Sequence, residues 1–427
     1  MAASWAYRWG AARNPTLTED TAGAVYSDAP ANADFTDRLI ENLQEKLRQY
    51  PDDAHSYGLL GAAYLQKVRE SGDPGYYSKA EAALKKALEL DPENFETLTT
   101  AGVLALARHQ FQEGLEHGQR AHALNPYNAR ALGVVADALI ELGIYDAGFE
   151  TVQKMVDTRP DMSSYARVSY ARELNGDVAG ALEAMRLAVE AGSALPENTA
   201  WALTQVGLLL FNHGDLEAAE REFEAAARAL PDYLPAQAGL AKVKAARGDL
   251  KGAITLYERI TQVLPLSEYV IALSDCYAAA GRAEAAQRQY DLVKVLAQLQ
   301  QANGVDTDLE ITLFEADHPN LFSPLNETVA RARRVYEKRP TIYAADVLAW
   351  ALYQSGQYAE AQMYAREALK LNTQDALLWF HAGMIAARLG QVDDARQKLE
   401  QALKINPHFS LLWADVARQT LSDLPAS

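Results

Sequence analysis

A fixed spacing of 34 residues constrains this chain more than any other feature. Pro92, Pro126 and Pro160 are each 34 apart, and so are Pro231 and Pro265. Gly356 and Gly390 keep the same interval, as do Ala361 and Ala395, and Ala368 and Ala402. A period of this length means a stack of supersecondary units, so the length of 427 residues does not translate into a number of globular domains. Within one period the apolar residues step by three and four. In GQVDDARQKLEQALKINPHF they are Val392, Ala395, Leu399, Ala402 and Leu403, which share one face of a helix. Gly390 and Pro407 bracket that helix. A second helix precedes it, from about Asp375 to Leu389, with Leu378, Ala382 and Ile385 along one edge. Neither helix hides its apolar face alone, so each unit must be covered by its neighbours.

Composition agrees. Hydrophobic residues make up 49%, enough for a continuous core, and alanine and leucine favour helix. The net charge of −17 repels phosphate backbones, which argues against nucleic acid. No run of eighteen apolar residues is present, so no membrane span is expected. The single cysteine, Cys276, excludes an intramolecular disulfide and reads as a small buried thiol. The first residues lack the basic and apolar regions of a signal peptide. The compartment stays open: cytoplasmic as written, exported if a leader has been removed.

The units resemble tetratricopeptide repeats. Tyr57-x-x-Leu60-Gly61-x-x-Tyr64, then Ala80, Leu84, Ala87 and Pro92, follows that family's pattern. Later units supply Gly207, Ala219, Phe223, Ala226 and Pro231; Ala253, Tyr257 and Pro265; and Trp379, Gly383, Ala395, Leu399, Ala402 and Pro407. The resemblance covers about residues 53–421. It implies an all-α right-handed α-α superhelix of about ten helix pairs. The expected organisation is an N-terminal arm (1–33), a capping helix (34–52), repeats one to seven (53–293), a divergent helix pair (294–340), repeats nine and ten (341–407), and a C-terminal capping helix and tail (408–427). The arm reads as flexible, and its Trp5, Tyr7 and Trp9 fit either an ordered crossing or a docking segment.

No catalytic signature is found: no GxxxxGK[ST], no GxGxxG, no HExxH and no GxSxG. Neither an enzyme nor a cofactor is expected. The family resemblance implies instead that a protein or peptide binds the concave face, lined by the first helix of each pair. Its groove positions fall on Trp201 and Phe211 in the fifth unit, and on Tyr343, Asp346, Trp350 and Tyr353 in the ninth. In the tenth they include Phe380 and Met384. An aromatic groove suits a hydrophobic or amphipathic segment. The family's carboxylate clamp for acidic chaperone tails is missing, since Gly58, Ala62, Thr99 and Val103 stand at the matching positions. The stack is expected to be a monomer. Trp350→Ala with Phe380→Ala is expected to leave the stack folded and remove partner binding. The alternative is a metal- or small-molecule-binding accessory protein using Asp306–His318 and the adjacent groove, with Asp317, His318, Asp346 and His381 as ligands. A plain structural reading of the same residues is a buried Asp346–His381 hydrogen bond.

Overall fold

The structure is a computed structural model that describes residues 33–192 and 196–425. The aromatic arm with Trp5, Tyr7 and Trp9 lies outside the described residues. The described residues form helices only. In chain order these are α1 (Ala33–Gln49), α2 (Ala54–Ser71), α3 (Gly75–Leu90), α4 (Phe95–Ala107), α5 (Phe111–Leu124) and α6 (Ala129–Glu141). Next come α7 (Tyr145–Thr158), α8 (Met162–Leu174), α9 (Val178–Ala191), α10 (Pro196–Asn212), α11 (Leu216–Ala229) and α12 (Leu234–Ala246). Then follow α13 (Leu250–Val263), α14 (Ser267–Ala279), α15 (Ala283–Ala302), α16 (Asp308–Asp317) and α17 (Leu325–Lys338). The last are α18 (Ile342–Gln354), α19 (Tyr358–Ala368), α20 (Ala376–Arg388), α21 (Val392–Ile405) and α22 (Ala414–Asp423).

From α2 onward the helices pair, and the turn chemistry shows why. First helices close on a residue in the left-handed region. Gly143, Gly176, Gly214, Gly248, Gly281, Gly356 and Gly390 have φ between 71° and 83°. Glycine adopts that conformation without a Cβ penalty. The next residue then starts the second helix. Asp177, Asp215 and Asp249 accept from the backbone N–H three residues on, each at 2.9 Å. Such caps satisfy donors that a helix start leaves open. In the second pair His109 takes the glycine's place at φ 59°. Its Nδ1 lies 2.7 Å from the carbonyl oxygen of Asp306.

The chain divides into two compact units. One runs up to Val168 and takes in Gln298–Asp306; the other holds Ser169–Ala297 and Thr307 onward. In the first unit α2 packs on α3 and α4, α4 on α5 and α6, and α6 on α7. Its core includes Leu60, Tyr64, Leu84, Leu104, Phe111, Val134 and Leu139. In the second, α10 packs on α11 and α12, and α18 on α19 and α20. This is the nearest-neighbour packing that a repeat stack requires.

Both units also close over long sequence distances. In the second, the Asn406 Nδ2 donates to the Phe211 carbonyl at 2.9 Å. Thr373 Oγ1 lies 3.5 Å from the carbonyl of Glu173. In the first, the Asp306 N–H donates to the Arg108 carbonyl at 2.9 Å. Chain segments almost 200 residues apart therefore touch through their turns.

Helix crossings are set by small residues. Phe223 of α11 is fully buried, with Gly207 of α10 and Gly239 of α12 beside its ring. A Cβ at Gly239 would lie 2.4 Å from that ring, and one at Gly207 2.6 Å. Gly239→Ala is therefore expected to cost about 1–3 kcal/mol through overpacking. Urea unfolding followed by circular dichroism checks this; an unchanged midpoint would show that the ring moves aside freely.

Candidate functional site

The residues with most chemistry lie on the first-helix side of the second unit, on α10, α14, α16, α18 and α20. Asp317 closes α16. Its Oδ1 accepts from the indole N–H of Trp350 at 3.0 Å and from that of Trp413 at 2.9 Å. The second donor comes from a residue 96 positions away, just before α22. Trp350 lies flat against Tyr353, with ring centroids 4.7 Å apart, and against His381 at 4.1 Å. Trp413 meets Trp350 edge-on at 5.4 Å. Phe380 packs against Phe409 at 5.3 Å. Trp350 is 1% exposed and Phe380 is fully buried. Their covering side chains belong to the chain itself, since Phe409 and Trp413 lie over them. Tyr353 and Met384 are also buried, and Arg388 Nε donates to the Tyr353 hydroxyl at 3.4 Å. Tyr343, at the start of α18, is partly exposed.

Asp346 and His381 do meet. His381 Nδ1 lies 3.0 Å from both carboxylate oxygens, and the pair is buried. The four residues considered for a metal do not come together. Asp317 serves the two tryptophans, and His318 Nε2 faces Asp275 at 3.7 Å. Among the described residues no group of three or more His, Cys, Asp or Glu side chains is placed to hold a metal. Glu315, in the divergent segment, is consumed by structure: it accepts from Ser323 at 2.9 Å, Thr328 at 3.2 Å and Arg331 at 2.8 Å.

Two side chains absent from the sequence expectations stand out on α14. Glu268 and Asp275 lie seven residues apart, two turns along one side. Burial pushes Glu268 up to about 8, against the pull of Lys242. Burial raises Asp275 to about 7, and the charge of Asp317 adds to it. Glu268 Oε1 is buried without a hydrogen-bond partner among the described residues. Asp275 accepts from the Tyr290 hydroxyl at 3.4 Å. The signal was available: the repeat register, set on Ser274 as the small residue of the seventh unit, puts both on groove positions. On α10, Trp201 is 5% exposed and its indole N–H has no partner among the described residues. Phe211 is buried, with the Lys242 ammonium 6.0 Å from its ring centre. Cys276 is buried and its thiol is pushed up to about 12, which makes it inert as a nucleophile.

These carboxyls set a pH dependence. Their pKa values in the folded chain exceed those of the unfolded chain, so the folded state holds more protons between about pH 4 and 8. Their contribution to stability is therefore lost as pH rises through that window. Glu268→Gln with Asp275→Asn is expected to raise the melting temperature at pH 8.5 by several degrees, and far less at pH 4. The conversion is roughly 2–4 °C per kcal/mol for a unit of this size. Equal shifts at both pH values would refute the assignment.

Comparison with known proteins agrees with this architecture. Models of the tetratricopeptide repeat match residues 54–94, 210–274 and 347–408. Tetratricopeptide repeat protein 36 of Mus musculus is 32% identical over 127 residues, covering 30% of this chain and 68% of that protein. The peroxisomal targeting signal receptor of Komagataella phaffii is 25% identical over 154 residues, covering 33% of this chain. The chain spans only 18–26% of the length of the larger curated relatives it matches. Among solved structures, the APC/C hetero-tetramer Cut9-Hcn1 aligns with 91% of this chain and 81% of its own, at 15% identity and a TM-score of 0.41. No described helix is long and apolar enough to cross a membrane. Paired helices, left-handed turn glycines, small residues at the crossings and these sequence matches lead to one assignment: the chain belongs to the tetratricopeptide repeat family.

Proposed function

We propose that the chain is a non-enzymatic scaffold that receives a segment of a partner protein on the face formed by its first helices. The observation that carries this reading is the face of α14 with its neighbours. Glu268 and Asp275 stand partly exposed on it, and one buried oxygen of Glu268 is left unmet by the described residues. Tyr343, also partly exposed, supplies an aromatic on the same side of α18. Buried Trp350, Tyr353, Phe380 and Met384 then serve as the floor of the site, and Trp201 with Phe211 as its other end. With their pKa values raised toward and past neutrality, these carboxyls donate as well as accept hydrogen bonds and so suit a polar segment, whereas the carboxylate clamp would select an acidic one. The Komagataella relative is, by its name, a receptor for a targeting signal, which fits a short stretch of chain as ligand.

The test is site-directed photo-crosslinking. A benzophenone amino acid at Tyr343 is expected to trap one defined protein in cells. The same probe at exposed Met363, on the second helix α19, should trap none of it. Equal labelling from both positions, or no adduct from Tyr343, would sink the reading.

A further inference from the structure

Three consecutive first helices, α10, α12 and α14, carry buried hydrogen-bonding atoms that the described residues leave unmet. On α10 these are the Trp201 indole N–H and the Gln205 amide nitrogen, and on α12 the Gln237 amide oxygen. All three side chains are more than nine-tenths buried. Glu268 Oε1 on α14 is the fourth such atom. Trp201 stands at a groove position, and Gln205 follows it one turn later on the same side. Gln205 and Gln237 take the same place in successive units, each two residues before a crossing glycine, Gly207 and Gly239. Those glycines bring α10 and α12 together over the Phe223 ring. Interior polar atoms without partners are costly, so a ligand that supplies partners is favoured.

The chemistry of the four groups selects that ligand. None presents a charge near neutral pH. The indole and the two amides are neutral, and burial pushes the Glu268 carboxyl up to about 8. An ionic side chain would give up its water here and meet no counter-charge among them. A main-chain amide offers one donor and one acceptor at every residue and carries no charge. Its carbonyls accept from Trp201, Gln205 and a protonated Glu268, and its N–H donates to Gln237. Neighbouring first helices pack about 8–10 Å apart, close to three residues of extended chain at about 3.3 Å each. One extended stretch of about seven residues therefore meets α10, α12 and α14 in turn.

We propose that α10, α12 and α14 hold an uncharged, extended segment of the partner by its main-chain amides, with Trp201, Gln205, Gln237 and Glu268 as the contacts. This rests on the scaffold reading above and adds the class of segment. It also makes the hold depend on pH. Glu268 donates its proton to a segment carbonyl, so ionisation removes that bond and sets a carboxylate against the carbonyl oxygen. The cation that bears on Glu268 is Lys242 of α12. On α13, burial pushes the Tyr257 phenol up and the charge of Glu268 adds to it. Asp275, two turns on along α14, faces the Tyr290 hydroxyl at 3.4 Å, His318 Nε2 at 3.7 Å and the charge of Asp317.

The test uses the full chain and a displayed library of random dodecapeptides, selected at pH 6.5 and eluted at pH 9.5. The eluted pool is expected to be depleted in Lys, Arg, Asp and Glu relative to the starting library. One eluted sequence, made as a fluorescent peptide, gives affinities by anisotropy. Trp201→Phe keeps a ring and removes an unmet N–H, so it should melt no lower than wild type yet bind roughly tenfold more weakly. That comparison is read at pH 6.5, so it decides even if the wild-type fold loosens at high pH. Glu268→Gln keeps a donor at every pH and should still bind at pH 9.5, where wild type has let go. An empty pool, or one rich in charged residues, would overturn the proposal. So would unchanged affinity in Trp201→Phe, or release of the peptide from Glu268→Gln at pH 9.5. The Tyr343 crosslink separates the two readings. A partner adduct with an empty pool removes the four contacts alone, and peptide binding without any adduct removes the Tyr343 reading alone.

Discussion

Trp350→Ala combined with Phe380→Ala should unfold the C-terminal helix pairs. This is the reverse of the sequence expectation, which kept the stack folded with its groove emptied. Trp350 is 1% exposed and Phe380 is fully buried. Truncating a buried aromatic costs about 3–5 kcal/mol, from lost transfer energy and the cavity left behind. The two rings sit 5.7 Å apart, so their losses will not simply add. The indole adds a second loss, because Asp317 keeps only the Trp413 donor once Trp350 is gone. Even so, the sum is a large part of what a single domain has to spare. In a stack held by nearest neighbours the damage is local. Hydrogen exchange should show protection lost from α18 to α22, while α10 to α13 keep theirs. Trp350→Phe keeps most of the buried area and should cost only the hydrogen bond, about 1–3 kcal/mol. Full protection across α18 to α22 in the double variant would show that these rings line an open surface.

The reversal shows which parts of the molecule the sequence encodes locally. The 34-residue period, the breaker glycines and the Asp caps act within a few residues of themselves, so the paired helices were legible. The meeting of Asp346 and His381 was legible too, because the two lie on adjacent first helices, 35 residues apart in a 34-residue period, one position from equivalence. What covers a helix face is not local. Trp350 is buried by Asp317 and Trp413, and Trp413 sits in what read as a plain capping segment. The contacts of Asn406 with Phe211, and of Asp306 with Arg108, join residues almost 200 apart and have no signature in spacing. His109 hides its turn altogether, because it stands where the pattern wants glycine. The carboxylates of α14 carry a weaker signature, because the seventh unit has Ser274 where the repeat pattern wants glycine.

Arg167→Ala is expected to be the most damaging single change in the first unit. Asp137 sits at a groove position of α6, and its side chain is 2% exposed. Arg167 grips it from α8 with two parallel bonds, Nε to Oδ1 at 2.9 Å and Nη2 to Oδ2 at 2.7 Å. The third nitrogen donates to the Ser163 carbonyl at 3.0 Å and to its hydroxyl. Gly133 leaves room for the guanidinium, which lies 3.1 Å from where a Cβ would stand. Burying two charges is costly, and such a pair is no stronger than well-packed apolar side chains of the same volume. Breaking it from one side is another matter. The remaining carboxylate stays in the interior without its donors, at a cost of about 3–5 kcal/mol. Three variants separate these effects in urea titrations. Arg167→Ala alone should lose most; adding Asp137→Ala should recover part of the loss, because no buried charge remains. Asp137→Leu with Arg167→Met should come close to wild type. If Arg167→Ala and the double alanine variant lose the same, water reaches Asp137 and the pair contributes little. If the Leu/Met variant collapses, the ion pair holds the first helices in register, and packing alone cannot replace it.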